Sequence, residues 1–227
     1  MVEVWIVEEK VTNKFLDESG HHIRINGELD TAFNITAEGE DYGEDYVEQN
    51  KNYLIDYLIC QNKFPLYFTF MIDEDQTDEY IAFFNENTME YNLNVLEEKR
   101  TYYNYLGKHQ YHPPCFTVKI TDSNSLVLLL NETYWLPTQN EFYSISFSDN
   151  LKFELREVKE WGRKRKRSIP IFKIEQDTAF ITIFHDGNGF YLFSNDVIDK
   201  IIKSLPKGTV ITQINDTLVN IDNVEEE

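Results

Sequence analysis

Phe142-Tyr143-Ser144-Ile145-Ser146-Phe147 and Leu151-Lys152-Phe153-Glu154-Leu155-Arg156-Glu157-Val158 alternate apolar and polar residues on either side of Asp149-Asn150. A period of two puts successive side chains on opposite faces of an extended chain, and Asp-Asn suits a tight turn. The spacing therefore predicts an antiparallel pair. Next comes Trp161-Gly162-Arg163-Lys164-Arg165-Lys166-Arg167-Ser168, which reads as a hairpin loop with five consecutive cations. The chain around that loop has a formal net charge of −19. Ile169 to Glu175 and Thr178 to His185 repeat the alternation about a Gln176-Asp177 turn, and Asp186-Gly187-Asn188-Gly189 marks another, so a β-meander is expected up to Phe193.

Outward from this block, Phe116 to Thr121 and the apolar Leu126 to Asn131 read as strands about the turn Asp122-Ser123-Asn124-Ser125. Ser194 is placed to cap a short helix with the stripe Val197, Ile198, Ile201, Ile202 and Leu205, and Thr209 to Ile214 forms a final strand. Pro113-Pro114 breaks the chain. It separates an acidic α/β half, 1–113, from a β-meander half, 114–227, unless the two form one continuous domain. In the first half Val2 to Val7 reads as a strand, Val11 to Leu16 as a weaker one, and 27–43 as a polar, irregular excursion. Asp45 to Cys60 has helical periodicity with a capping-box spacing at Asp45 and Glu48, and Leu66 to Ile72 suits a buried central strand. Tyr80 to Phe84 fits either element, whereas Leu93, Leu96, Arg100 and Tyr103 recur at helical spacing up to Gly107. The expected class is α+β, with a largely antiparallel sheet and a few packed helices.

Composition supports a folded globule, because 41% of the 227 residues are apolar and 15% aromatic, far from the aromatic-poor profile of acidic disordered chains. No apolar run approaches the roughly 20 residues of a membrane-spanning helix. The N-terminal Met1 to Lys10 is acidic and strand-like rather than a basic start followed by an apolar run. A cytoplasmic location with no membrane partner is expected, and with it Cys60 and Cys115 buried and reduced.

Charge is divided unevenly: residues 1–113 hold 8 Lys and Arg against 23 Asp and Glu, and residues 114–227 hold 13 against 17. The acids cluster at Glu38, Glu40, Asp41, Glu44, Asp45 and Glu48, and again at Asp73, Glu74, Asp75, Asp78 and Glu79. Such fields repel phosphate backbones and anionic lipid and attract basic proteins. A plain solvating surface is the simpler explanation of the same runs.

Motifs that fix a reaction are missing. His109, His112 and Cys115, with Cys60 as a possible fourth ligand, offer soft donors for zinc, but not as the two separated pairs of a closed site. Exposed loop histidines and a buried cysteine are the simpler account, so no metal is expected. Asp73 opens a run that resembles the start of a calcium loop, yet Asp78 stands where that loop needs glycine and Phe84 where it needs glutamate. There is no Gly-x-Ser-x-Gly, P-loop or dinucleotide fingerprint, so no cofactor is expected.

Function is therefore read from charge. In composition only, the chain resembles bacterial immunity and phage anti-defence proteins, which are small, acidic and rich in Tyr and Phe. That likeness implies an acidic inhibitor or immunity-type binding protein covering a basic surface on a toxin, nuclease or other nucleic-acid-handling protein. The expected partner-binding residues are Glu38, Glu40, Asp41, Glu44, Asp45, Asp73, Asp75 and Asp78 of the acidic clusters, together with Trp161, Arg163, Lys164, Arg165, Lys166 and Arg167. The alternatives are a metal-dependent hydrolase using the His/Cys cluster and a nucleic-acid-binding protein using the basic loop. A −19 body disfavours the last through long-range repulsion.

Overall fold

The computed structural model describes residues 2–18, 21–38, 44–104, 107–160, 162–175, 179–215 and 217–218. In chain order the elements are β1 (Val2–Lys10), α1 (Asn13–Glu18), β2 (Arg24–Asn26), β3 (Thr31–Ala37), α2 (Glu44–Gln61), β4 (Leu66–Met71), α3 (Thr77–Glu86), β5 (Glu90–Val95), β6 (Arg100–Asn104), β7 (Gly107–Tyr111) and β8 (Pro114–Ile120). There follow α4 (Ser123–Thr133), α5 (Trp135–Thr138), β9 (Tyr143–Ser146), β10 (Leu151–Glu160), β11 (Arg163–Lys173), β12 (Phe180–Ile183), β13 (Phe190–Phe193), α6 (Ile198–Lys203), β14 (Thr209–Ile214) and β15 (Thr217–Leu218). The fold is α+β. A ten-stranded sheet runs β15-β14-β1-β3-β13-β12-β9-β4-β8-β5, antiparallel except for β1 with β14. A second sheet, β10-β11-β2, and a hairpin, β6-β7, stand apart from it. Strands from both sides of Pro113-Pro114 share the large sheet, since β4 pairs with β8 and β9, and β3 pairs with β13. Among the described residues no helix is long and apolar enough to cross a membrane.

Alternation along the central strands gives the large sheet two buried faces. Phe68 and Phe70 of β4, Phe116 and Val118 of β8, and Phe190 and Leu192 of β13 join one core, with Leu54 and Leu58 of α2, Phe84 of α3 and Leu129 and Leu130 of α4. Their neighbours Met71, Cys115, Tyr191 and Phe193 face the opposite way, into a second core with Leu16 of α1 and Phe172 of β11. Helices α2, α3 and α4 thus cover one face, and the small sheet together with α1 covers part of the other. Burial on both sides explains why the central strands read as continuous apolar runs. Aromatic packing is dense on each side: Phe70 stacks on Tyr143 at 5.4 Å between ring centroids, and Phe180 lies between Phe172 at 3.7 Å and Phe193 at 4.3 Å.

Several expectations are corrected. Phe142 to Phe147 and Leu151 to Val158 do not pair with each other: β9 lies between β4 and β12 in the large sheet, while β10 pairs with β11. Asp149-Asn150 is where the chain changes sheets. Both faces of β9 are buried, Ser144 and Ser146 included, so its alternation does not mark a solvent face. The meander of β9, β12 and β13 holds, with the β10-β11 hairpin inserted into it. The basic run is not a loop but the first half of β11, paired from Arg163↔Glu160 to Arg167↔Arg156.

Leu126 to Asn131 lies in α4, because Asp122 is an N-cap whose carboxylate accepts from the amides of Asn124 and Ser125, both at 3.0 Å. Ser194 accepts from the Asp196 amide but does not cap α6, whose N-cap is Val197. Val11 to Leu16 runs mostly through α1, and the polar excursion contains β3, a fully interior strand of the sheet. The helix expected from Leu93 to Tyr103 is instead β5 and β6; Glu90-Tyr-Asn-Leu-Asn-Val95 alternates with a period of two, and β8 supplies its partner. The Gln176-Asp177 turn lies outside the described residues. Asp186 to Gly189 does turn β12 into β13, and at Gly187 (φ 76°) a Cβ would come within 2.8 Å of Thr138.

Replacing Asp122 by Ala removes the only side chain that satisfies those two α4 amides. It is expected to lower folding stability by about 0.5–2 kcal/mol in urea unfolding. An unchanged midpoint would show that the cap does not anchor α4.

Candidate functional site

A cleft of about 1220 Å³ opens where the β10-β11 hairpin meets the β5-β6 connection, the base of the β6-β7 hairpin and the segment before β9. Lys99, Arg100 and Lys108 line one side and Arg163, Arg165, Lys166 and Arg167 the other, against four glutamates, Glu97, Glu98, Glu141 and Glu160. A chain of net charge −19 thus holds a concave surface with a cationic excess.

The cleft floor is an ionic network. Glu98, 2% exposed, accepts from the Ser168 amide at 2.7 Å and from Arg100 Nε at 2.8 Å, while its own amide donates to Ser168 Oγ at 3.1 Å. Arg167 Nη1 stands 3.7 Å from the same carboxylate. Arg100 Nη1 donates to Glu141 at 2.6 Å and Nη2 contacts Met71 Sδ at 3.2 Å, which ties the network to the end of β4. Burial works against the Arg100 charge, but Glu141 and Glu98 outweigh it and raise its pKa. Arg167 grips Glu160 with two hydrogen bonds of 2.8 Å, and His22 places Nε2 3.4 Å from Glu160 and Nδ1 3.5 Å from Asp17. Paired, desolvated charges of this kind hold geometry; leaving one without its partner is what costs stability.

The remaining cations separate from the network. Lys164 pairs with Glu157 at 2.6 Å and Arg165 reaches Glu160 only at 3.7 Å. Among the described residues, Lys99, Lys108, Arg163 and Lys166 form no ion pair. Glu97 in the same cleft forms none either.

The structure brings Arg163, Arg165, Lys166 and Arg167 together at the cleft and directs Lys164 to Glu157; Trp161 lies outside the described residues. It does not gather the acidic clusters there. Glu38 accepts from Trp5 Nε1 at 3.0 Å and from Thr212 at 3.1 Å beside β1. Glu40 and Asp41 lie outside the described residues, and Glu44 and Asp45 begin α2, so that α2 starts one residue before the expected capping box. Asp73, Asp75 and Asp78 are exposed at the start of α3, where the helix dipole favours acids. Asp73 also accepts a very short hydrogen bond from Tyr111, a cleft residue.

Among the described residues the metal candidates are not gathered into one group. His109 stacks on Tyr102 at 5.2 Å, His112 Nδ1 donates to the Leu96 carbonyl at 3.0 Å, and Cys115 is buried in β8, where desolvation pushes its thiol pKa up. Cys60, on α2, is exposed rather than buried as expected, and its thiol contacts the Ser204 carbonyl. Among the described residues no three His, Cys, Asp or Glu side chains form a group suited to a metal ion.

Sequence reasoning missed Glu98, Lys99, Arg100, Lys108, Tyr111, Glu141 and Glu160. The period-two signal of residues 90–95 was available and would have placed Glu98 in a turn rather than a helix. Its pairing with Ser168, seventy residues away, has no local signature. No family model, curated protein or solved structure matches the chain.

Hydrogen bonds from Arg167, and the nearby Arg167, His22 and Arg165 charges, hold the Glu160 pKa below the usual carboxylate value despite partial burial. A depressed carboxylate stabilises the folded state above its unfolded pKa of about 4.3, and that contribution disappears as pH falls through the lower folded value. The stability difference between wild type and Glu160→Gln is therefore expected to be constant at neutral pH and to shrink below about pH 4.3. A difference that persists undiminished at low pH would contradict the pairing.

Proposed function

We propose that this chain is an inhibitor-type protein-binding protein that engages a partner of mixed charge, with the basic cleft receiving an acidic segment of that partner. The observation that carries this reading is the sorting of charge in the cleft: Arg100 and Arg167 are consumed by glutamates, while Lys99, Lys108, Arg163 and Lys166 are left to face a ligand. A uniform polyphosphate would meet Glu97 and three further carboxylates in the same space and the −19 body around it. A protein segment supplies carboxylates opposite the lysines and amines opposite Glu97. Complementarity of both signs suits specific recognition and fast encounter.

One observation favours a second contact of the opposite polarity. Asp75, Asp78 and Glu79 are exposed and form no ion pair among the described residues, so the α3 start offers a basic partner surface an acidic match, as the composition of the first half leads one to expect. Both contacts belong to one immunity-type binding function.

Fluorescent polyglutamate, polylysine and single-stranded oligothymidylate separate these contacts. Polyglutamate is expected to bind and to weaken as salt rises. Lys99, Lys108, Arg163 and Lys166 changed together to Ser should reduce its affinity about tenfold or more with little change in Tm, because these exposed cations have no partner to lose. Polyglutamate affinity that is unaffected by the four changes would overturn the cleft reading, and oligothymidylate binding that depends on them would move the assignment to nucleic acid.

A further inference from the structure

We propose that the open edge of β10 takes an extended acidic segment of a protein partner as an additional strand. The proposal rests on the reading above that the partner carries an acidic segment, and names a surface beside the cleft that holds such a segment in extended form.

In the β10-β11-β2 sheet, β10 is an outer strand of ten residues. The ladder fixes which of its peptide groups are free. Lys173 donates to the Asn150 carbonyl at 3.3 Å in the same register as Leu151↔Phe172 and Phe153↔Pro170. Bonded and non-bonded pairs alternate in an antiparallel ladder, so the even-numbered residues of β10 bond to β11. Leu151, Phe153, Leu155, Glu157 and Lys159 point their N–H and C=O groups to the open edge. Two other features agree with this assignment. Pro170, which has no N–H, falls at a non-bonded position opposite Phe153. The Ser168 amide, likewise directed away from β10, bonds Glu98 instead. No described residue bonds the five outward peptide groups.

Charge decides what this edge accepts. All three glutamates of β10 are neutralised from within the hairpin, Glu154 by Arg156, Glu157 by Lys164 and Glu160 by Arg167. Lys152, Lys159, Arg163 and Lys166 form no ion pair among the described residues. They are divided between the two faces, Lys152 and Arg163 on one and Lys159 and Lys166 on the other, by the alternation of side chains. Charged residues on edge strands usually prevent uncontrolled pairing. Here the charges left over are all positive, which excludes basic strands and a second copy of β10 with the same free lysines. An added strand with acidic side chains gains backbone hydrogen bonds from the edge and cations on either face. Leu155 and Glu160 of the same strand contribute to the cleft lining.

The test uses the full-length protein and an octapeptide alternating Glu and Val, compared with the same peptide N-methylated on two adjacent central residues. Methylation keeps the charge but removes an N–H from both edges of the peptide strand. The parent peptide is expected to bind and to slow amide exchange at Leu155, Glu157 and Lys159, and the methylated peptide to bind about tenfold or more weakly. Equal affinity for both peptides would overturn strand addition while leaving the cleft as an acidic-segment site. Failure of the octapeptides and polyglutamate alike would overturn the cleft reading itself. Oligothymidylate that outcompetes the parent peptide at the same edge would replace the protein segment with nucleic acid.

Discussion

The Glu98 carboxylate, buried between the Ser168 amide and the Arg100 guanidinium, is the constraint on which the architecture of this face depends. A solvated glutamate would leave the β10-β11 hairpin, among the described residues, held against the large sheet by apolar contacts such as Phe172 on Phe180. With the carboxylate in place, a strand of the small sheet is joined to the connection that follows β5, and through Arg100 to Glu141 and the end of β4. Desolvating such charges is expensive unless each finds partners. Ser168, Arg100, Arg167, Glu141 and Glu160 supply them, and the result holds the cleft walls at a fixed separation.

The same network explains how an acidic protein presents a cationic surface. Net charge describes long-range attraction and repulsion, whereas what a ligand meets at contact is the charge left after internal pairing. In the hairpin the glutamates are internally satisfied and four cations are not, so locally the sign is the reverse of the whole. The acidic residues of the first half are distributed differently: Glu38 is used by Trp5 and Thr212, and the run from Asp73 sits at a helix start that favours carboxylates.

What the sequence revealed follows from the range of the interactions involved. α2 and the buried strand β4 are specified locally, by helical spacing from Val47 to Leu58 and by the bulky run from Leu66, and both were legible. The basic run stands out in the sequence, but its conformation does not. Five consecutive charges look like a loop, and only pairing with β10, whose Glu157 and Glu160 take up Lys164 and Arg167, makes them a strand. Leu126 to Leu130 is ambiguous for the reverse reason, because an apolar run of that length fits a strand or a helix, and the Asp122 cap that decides between them resembles a turn residue. β9 reads as an amphipathic strand because Ser144 and Ser146 are polar, although they are buried between β4 and β12. The site depends on Glu98, whose partner lies seventy residues away, and no periodicity reports a contact at that distance.

Amide exchange at Ser168 tests the central claim most directly, because its N–H points away from β10 and is bonded only by Glu98. It is expected to exchange far more slowly than the outward amides of Glu157 and Lys159, and to lose that protection in Glu98→Ala while the amides of β4 and β8 keep theirs. Ser168 exchanging as fast as those edge amides in the wild type, or unchanged in the variant, would contradict the role given to the buried carboxylate.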